Sequence, residues 1–188
     1  MEFDSVIKKR TSVNSFKDKK PSWKAVLEAI DFANQAPFAG NNNNLKFIII
    51  ENEETINKIA KHTEQLWINK VKILVVICSN IKIVEKLYHE RGKIYAKQQA
   101  GAAIENLLLK ITDLNLSACW VGAFKDLMIK RILKIPKDTE VEAIIPIGYE
   151  ETKTQKKRKM DLENTIFWEH WGTSRRPPLA QDRNLESL

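Results

Sequence analysis

The chain has 188 residues, of which 43% are hydrophobic and 29% charged, and it carries a net charge of +7. That balance suits one compact domain with a sizeable core and excludes a disordered chain. Its longest apolar runs, "FIII" and "ILVVIC", are too short to cross a bilayer, and "MEFDSVIKKR" lacks the basic-then-apolar order of a secretory signal. Two cysteines, Cys78 and Cys119, form no CxxC pair. They argue against a disulfide framework or a cysteine-ligated cluster and point to the cytoplasm.

In chain order, Phe3, Val6 and Ile7 mark a short first helix within residues 1–16. After "KDKKPS", Ser22 is placed to cap a helix carrying Trp23, Val26, Leu27, Ile30 and Ala33, which Pro37 closes. The asparagine run Asn41–Asn44 follows, then a β-branched strand, "LKFIIIE", and a helix over 53–68. "VKILVVICS" reads as a strand buried on both faces. From about Ile94 to Leu114, apolar residues recur every three or four positions, and the Ala100–Ala103 stretch is small enough for another backbone to approach. "SACWVGAF" reads as strand and turn, Asp126 as the cap of a short helix ended by Pro136, and "VEAIIPIGY" as a third buried strand. Alternating helices and strands with no internal repeat give an α/β or α+β architecture around a central sheet.

Several strong motifs are missing. No GxGxxG, GxxxxGK[ST] or GxSxG occurs, and the three histidines lack paired metal spacing, so no metal site is expected. Cys119 has no partner base that the sequence identifies, so any difficult chemistry falls to a cofactor. The basic cluster "KTQKKRK" leaves two readings open, a nucleic-acid surface or a site for a small phosphate ligand.

Four segments lie in an order and spacing that narrow the choice. "RTSVNSF" (Arg10–Phe16) resembles the R-x-S-x-[KR]-x-F signature of the FMN-dependent nitroreductase family, and "APFAGNNNN" resembles its A-P-S-A-x-N-x-Q-P loop. "YAKQQAGAAIENLLLKITDLNLSACWVGAF" is similar to its long central helix and flavin-contacting turn, and "KKRKMDLENTIFWEHWG" to its C-terminal phosphate-binding segment. The resemblance spans roughly residues 6–172. It implies an α+β nitroreductase-like fold with a central mixed β-sheet flanked by helices, in an intertwined homodimer. One FMN-binding domain would cover 1–172, with a polar tail at 173–188.

The resemblance also assigns roles. A flavin phosphate carries close to two negative charges and wants guanidinium, ammonium and hydroxyl donors. Arg10, Thr11, Ser12, Lys156 and Arg158 stand where the family supplies them. Asn41 falls on the family's loop Asn and Asn43 on its Gln, beside Pro37, Phe38 and Ala39, and this loop is expected to reach a flavin held mainly by the other subunit. Asn42 and Asn44 are expected to be solvated turn residues. Trp120 and Val121 are expected beside the flavin ring, with Gly122 and Ala123 letting backbone N–H approach its N5. Asn14 replaces a basic residue, Phe38 a small serine and Asn44 a common proline, which leaves the substrate open.

The resulting expectation is an oxidoreductase with non-covalent FMN. It takes hydride from NADH or NADPH and reduces a nitroaromatic, quinone or related small acceptor in ping-pong fashion, with no partner in nucleic acid or membrane. Two alternatives stand beside it: the same fold with flavin in a non-redox role or as a substrate, and a basic nucleic-acid-binding protein.

Overall fold

"ILVVICS" has no charge along its length, and all seven residues of the strand it forms, β2 (Ile73–Ser79), are buried. A strand hidden on both faces needs a covering layer above and below its sheet. The computed structural model, which describes residues 1–176, places β2 between β1 (Leu45–Ile50) and β4 (Glu140–Gly148). A short strand, β3 (Ser117–Ala118), completes the order β1-β2-β4-β3. These strands all pair antiparallel, where the sequence reading expects a mixed sheet; parallel pairing among the described residues is an isolated bridge between Ser12 and Ala118.

Strand periodicity sorts the core into two halves. Ile73, Val75 and Ile77 pack with Ala143, Ile145 and Ile147 against α2 (Trp23–Ala33) and α5 (Glu90–Asp113). Leu74, Val76 and Cys78 face the other way, onto Ile56 and Ile59 of α3 (Glu53–Ala60) and Ile129 of α6 (Asp126–Leu133). Burying each such aliphatic side chain stabilises the fold by roughly 1.5–3 kcal/mol. A bulge opposite Ile77 and Cys78 shifts the register of β4, so Val141 joins the second half while Ala143 stays in the first. Glu142, inside the bulge, receives a hydrogen bond from Ser79 and pairs with Lys97 Nζ through both carboxylate oxygens, at 3.0 and 2.9 Å.

Several boundaries differ from the sequence reading. The helix expected over 53–68 ends at Ala60 with Lys61 as its C-cap; turn residues follow, Glu64 takes a left-handed conformation (φ +57°), and a 3₁₀ turn forms at Leu66–Lys70. Ser22 occupies the N-cap of α2 without a side-chain capping bond, and α2 ends at Ala33, ahead of Pro37. Lys125, not Asp126, caps α6. A helix the sequence reading missed, α4 (Ile81–Tyr88), precedes α5 and turns into it at His89 (φ 48°, ψ −130°). The chain divides into two compact units after Thr154. Residues 177–188 of the expected tail lie outside the described residues. Among the described residues no helix is long and apolar enough to cross a membrane.

Candidate active site

The "RTSVNSF" segment leaves α1 (Phe3–Lys9) and runs in extended form along the sheet edge. Val13 and Phe16 are buried, while Ser12 and Asn14 are exposed. In an extended chain residues two apart share a face, so Ser12 and Asn14 present their polar groups on one side while Val13 anchors the other. The anchor is a bond from the Val13 N–H to the Ala118 carbonyl at 3.1 Å, next to the Ser12–Ala118 bridge. The Arg10–Ser12 segment, Thr11 included, therefore lies alongside the turn that begins at Cys119. Burial pushes the Cys119 thiol above its ordinary range, and a hydrogen bond from Ser12 acts in the opposite direction.

The turn itself separates its residues. Trp120 is 41% exposed, and its ring tip lies 3.9 Å from where a Cβ on Gly101 would stand, so the indole sits over α5 at a residue with no side chain. Val121 is buried in the core behind the turn and exchanges two 3.0 Å backbone bonds with Ile144, so its side chain turns inward, away from the exposed face of Trp120. Gly122 and Ala123 are exposed, and nothing lies within 4 Å of a Cβ built on Gly122. The fold makes no steric demand for glycine there. A close-approaching ligand would.

Arg10, half-buried, meets Glu105 of α5 through its Nε at 3.4 Å. Neither terminal nitrogen of Arg10 hydrogen-bonds among the described residues, so both remain available to an anion.

The asparagine loop is built on the same helix. After exposed Pro37 and Phe38, which packs partly against the core, the 3₁₀ turn Ala39–Asn41 places Gly40 and Asn41 in the left-handed region (φ 59° and 55°). Asn41 is exposed, and its amide makes no hydrogen bond among the described residues. Asn43 is engaged within the loop: its Oδ1 accepts from the Leu45 N–H at 2.9 Å and its Nδ2 donates to Asn34 at 3.0 Å, so both ends of its amide serve the loop. Asn44 departs from the expectation. Expected in solvent, it is buried and bonded to Gln99 and Asn80, replacing solvent with three amide partners. Asn42 closes a local turn onto the Gly40 carbonyl at 2.7 Å.

The two groups of residues sit on opposite flanks of α5. The asparagine loop is tied to Gln99, while Trp120 lies over Gly101 and Arg10 meets Glu105. At 3.6 residues per turn, Gly101 and Glu105 stand about 200° and about 240° around the helix from Gln99. Between them runs a partly exposed stripe that includes Gln98, Ala102 and Asn106. Next to it, a shallow cavity of about 340 Å³ is lined by Pro37, Ala39, Tyr95, Gln98, Gln99 and Ala102.

Lys156 and Arg158 belong to the second unit, where the Arg158 guanidinium pairs with Asp161 through both carboxylate oxygens, at 3.0 and 2.7 Å.

The sequence matches the Nitroreductase family over residues 7–82 and 64–149, more than half of its length. The chain belongs to the nitroreductase family. This is a family of oxidoreductases. The chain is 25% identical over 154 residues to a Methanothermobacter thermautotrophicus protein named "Putative NADH dehydrogenase/NAD(P)H nitroreductase", covering 79% of this chain and 78% of that protein. A crystal structure of a nitroreductase family protein from Clostridium novyi superposes with a TM-score of 0.75 at 30% identity, covering 92% of this chain and 96% of that one. The nitroreductase fold also appears, at 18% identity and a TM-score of 0.75, in an iodotyrosine deiodinase crystallised with FMN and 3-iodo-L-tyrosine; 85% of this chain and 96% of that chain are covered.

Sequence reasoning missed Gln99 and Glu105. For Gln99 a signal was present: a carboxamide on the helix face otherwise carrying Ala96, Ala100 and Ala103 has no apolar reason to be there. Glu105 gave none, since an acidic residue on a helix flank is ordinary.

Proposed function

We propose that this chain is an FMN-dependent NAD(P)H oxidoreductase that works as a homodimer and reduces small nitroaromatic, quinone or related acceptors. The observation that carries the reading is the division of the candidate site across α5. Asn41 on one flank and Arg10, Ser12, Trp120 and Gly122 on the other are separated by the exposed stripe, so one protomer does not close around a ligand with both groups. A two-fold partner packed on the stripe brings the loop of one copy toward the turn of the other, and an isologous contact supplies this twice. The small residue Ala102 suits a close helix crossing.

The donor set fits FMN. Arg10 offers two unengaged terminal nitrogens and Ser12 an exposed hydroxyl, which match a phosphate dianion. Asn41 offers both a donor and an acceptor to the amide-like edge of a flavin. Gly122 and Ala123 leave backbone open for close approach, and Trp120 supplies an aromatic face beside it. When bound, the flavin supplies hydride acceptance from NADH or NADPH and electron delivery to the acceptor. The protein binds it without a covalent bond, orients it and shields one face; no side-chain acid or base is assigned. Two free cysteines fit a cytoplasmic setting.

The test is an anaerobic absorbance spectrum of the purified protein. A yellow protein with about one FMN per subunit, bleached by NADH or NADPH and reoxidised by an acceptor, is the expected result; a colourless protein that takes up no flavin overturns the proposal. Ala102→Arg, which puts a charge in the middle of the stripe, is expected to yield a monomer that loses flavin. A flavin-loaded monomer would refute the shared site.

A further inference from the structure

Gln99 makes more of the asparagine loop than any other side chain outside it. Its Oε1 accepts from the Ala39 N–H at 3.0 Å; its Nε2 donates to Asn44 Oδ1 at 2.5 Å and reaches the Asn42 carbonyl at 3.4 Å. Gln99 and Asn44 are only 4% and 2% exposed, so these amide bonds are shielded from water. Asn44 passes the connection on: its Nδ2 donates to the Asn80 carbonyl at 3.2 Å, and its own carbonyl accepts from the Asn80 N–H at 2.9 Å. The loop is thus held at its first residue, near its middle and at its last residue, from one point on α5 and one at the end of β2.

Between those anchors lie Gly40 and Asn41, both left-handed. Glycine enters that region freely, so any cost of the bend falls on Asn41, and asparagine tolerates the left-handed region better than most residues. From outside, Tyr88 limits the same bend, its hydroxyl standing 3.0 Å from a Cβ built on Gly40. The clamp leaves the Asn41 amide pointing free of internal partners while every neighbouring asparagine is engaged.

We propose that Gln99 is the positioning residue for Asn41: it fixes the loop in the left-handed bend that presents the Asn41 amide to the flavin. This rests on the functional reading above. Gln99 touches no ligand in this scheme and acts only through the loop.

The experiment is a double-mutant cycle on FMN affinity, read by flavin fluorescence on the full-length protein, with amide hydrogen exchange as a flavin-independent readout. Gln99→Met keeps the side-chain length and removes the amide. Its expected effect is about a tenfold loss of FMN affinity, with faster exchange at Ala39, Asn41 and Asn42 and unchanged exchange in β2. Asn41→Ala alone is expected to lose a similar factor. Because both act through one contact, the double variant should also lose about tenfold, not the hundredfold that independent sites would give. Should Gln99→Met fail to fold, Gln99→Glu keeps the acceptor for the Ala39 N–H but sets an oxygen against Asn44 Oδ1, and the same pattern is expected. Independent, multiplicative losses, or unaltered loop exchange, overturn the positioning role alone. A wild-type protein that binds no FMN overturns the functional reading, and with it the role of Asn41.

Discussion

Gly92→Ala is the substitution whose consequence the geometry determines most directly. Gly92 lies in the first turn of α5, where α4 doubles back across it, and an added Cβ would stand 2.5 Å from both Cα and N of Glu85 and 2.7 Å from the Val84 carbonyl carbon. All three are backbone atoms, so no side chain can swing aside. Restoring an ordinary contact of about 3.4 Å means moving α4 away from α5 by roughly 0.9 Å, which breaks the close packing around buried Val84. Overpacking of this kind costs about 1–3 kcal/mol, and the helix propensity of alanine returns about 1 kcal/mol. With an unyielding neighbour the balance is a loss of about 1–2 kcal/mol, or roughly 2–8 °C in melting midpoint for a chain of this size. Thermal melts at one fixed protein concentration measure it, since association alters the midpoint. An unchanged or raised midpoint would show that the two helices are not held at this distance. The same variant has a functional side: Leu87 and Tyr88, at the end of α4, lie against Gly40, so displacing α4 should also speed amide exchange in the asparagine loop.

Three further outcomes are expected. Arg10→Ala removes a charge-assisted phosphate contact worth roughly 1.5–3 kcal/mol, so FMN affinity should fall at least tenfold while riboflavin, which lacks the phosphate, binds as before; equal losses for both ligands would remove Arg10 from a phosphate site. Asn14→Lys places a cation on the face that Ser12 shares, and it should raise the flavin midpoint potential, about 30 mV corresponding to about 1.4 kcal/mol for two electrons; an unchanged potential in anaerobic titration would place Asn14 away from the flavin. Burial, helped by Glu142, pushes the Cys78 thiol from 9.0 up to about 11, so it stays protonated in the fold where the unfolded chain already ionises. Stability should therefore decline as pH rises from about 9 to 11, and at pH 8 native Cys78 should resist alkylation until the protein unfolds; rapid native labelling would contradict its burial.

Much of the architecture could be read in advance because it depends on local pattern. The unbroken apolar run of β2 announced burial on both faces, and the three- and four-residue spacing from Ile104 to Leu114 announced α5. Other features depend on partners far away in sequence. α4 was missed because "IKIVEKLY" mixes β-branched residues with charge, and its packing is licensed by one glycine on the next helix. Nor did composition indicate where the helix after residue 53 would stop, since helix-forming residues continue past Ala60 into the turn at 61–64.

The site divides along the same line. A motif can say that Arg10, Ser12 and Asn41 have the right chemistry, because their types and spacing are local properties. It cannot say which of four adjacent asparagines is spare, because that depends on what each finds to bond with. Asn42 finds the Gly40 carbonyl, Asn43 finds Asn34 and the Leu45 N–H, and Asn44 finds Gln99 from 55 positions away. A buried amide without a partner costs about 1–3 kcal/mol, so the residue beside a buried carboxamide is drawn inward and the others close the turn around it. What remains is Asn41, exposed, left-handed and unengaged among the described residues. Four identical side chains thus take different roles according to what each can reach, and the part of that dependence that runs through Gln99 is what the cycle between Gln99 and Asn41 measures.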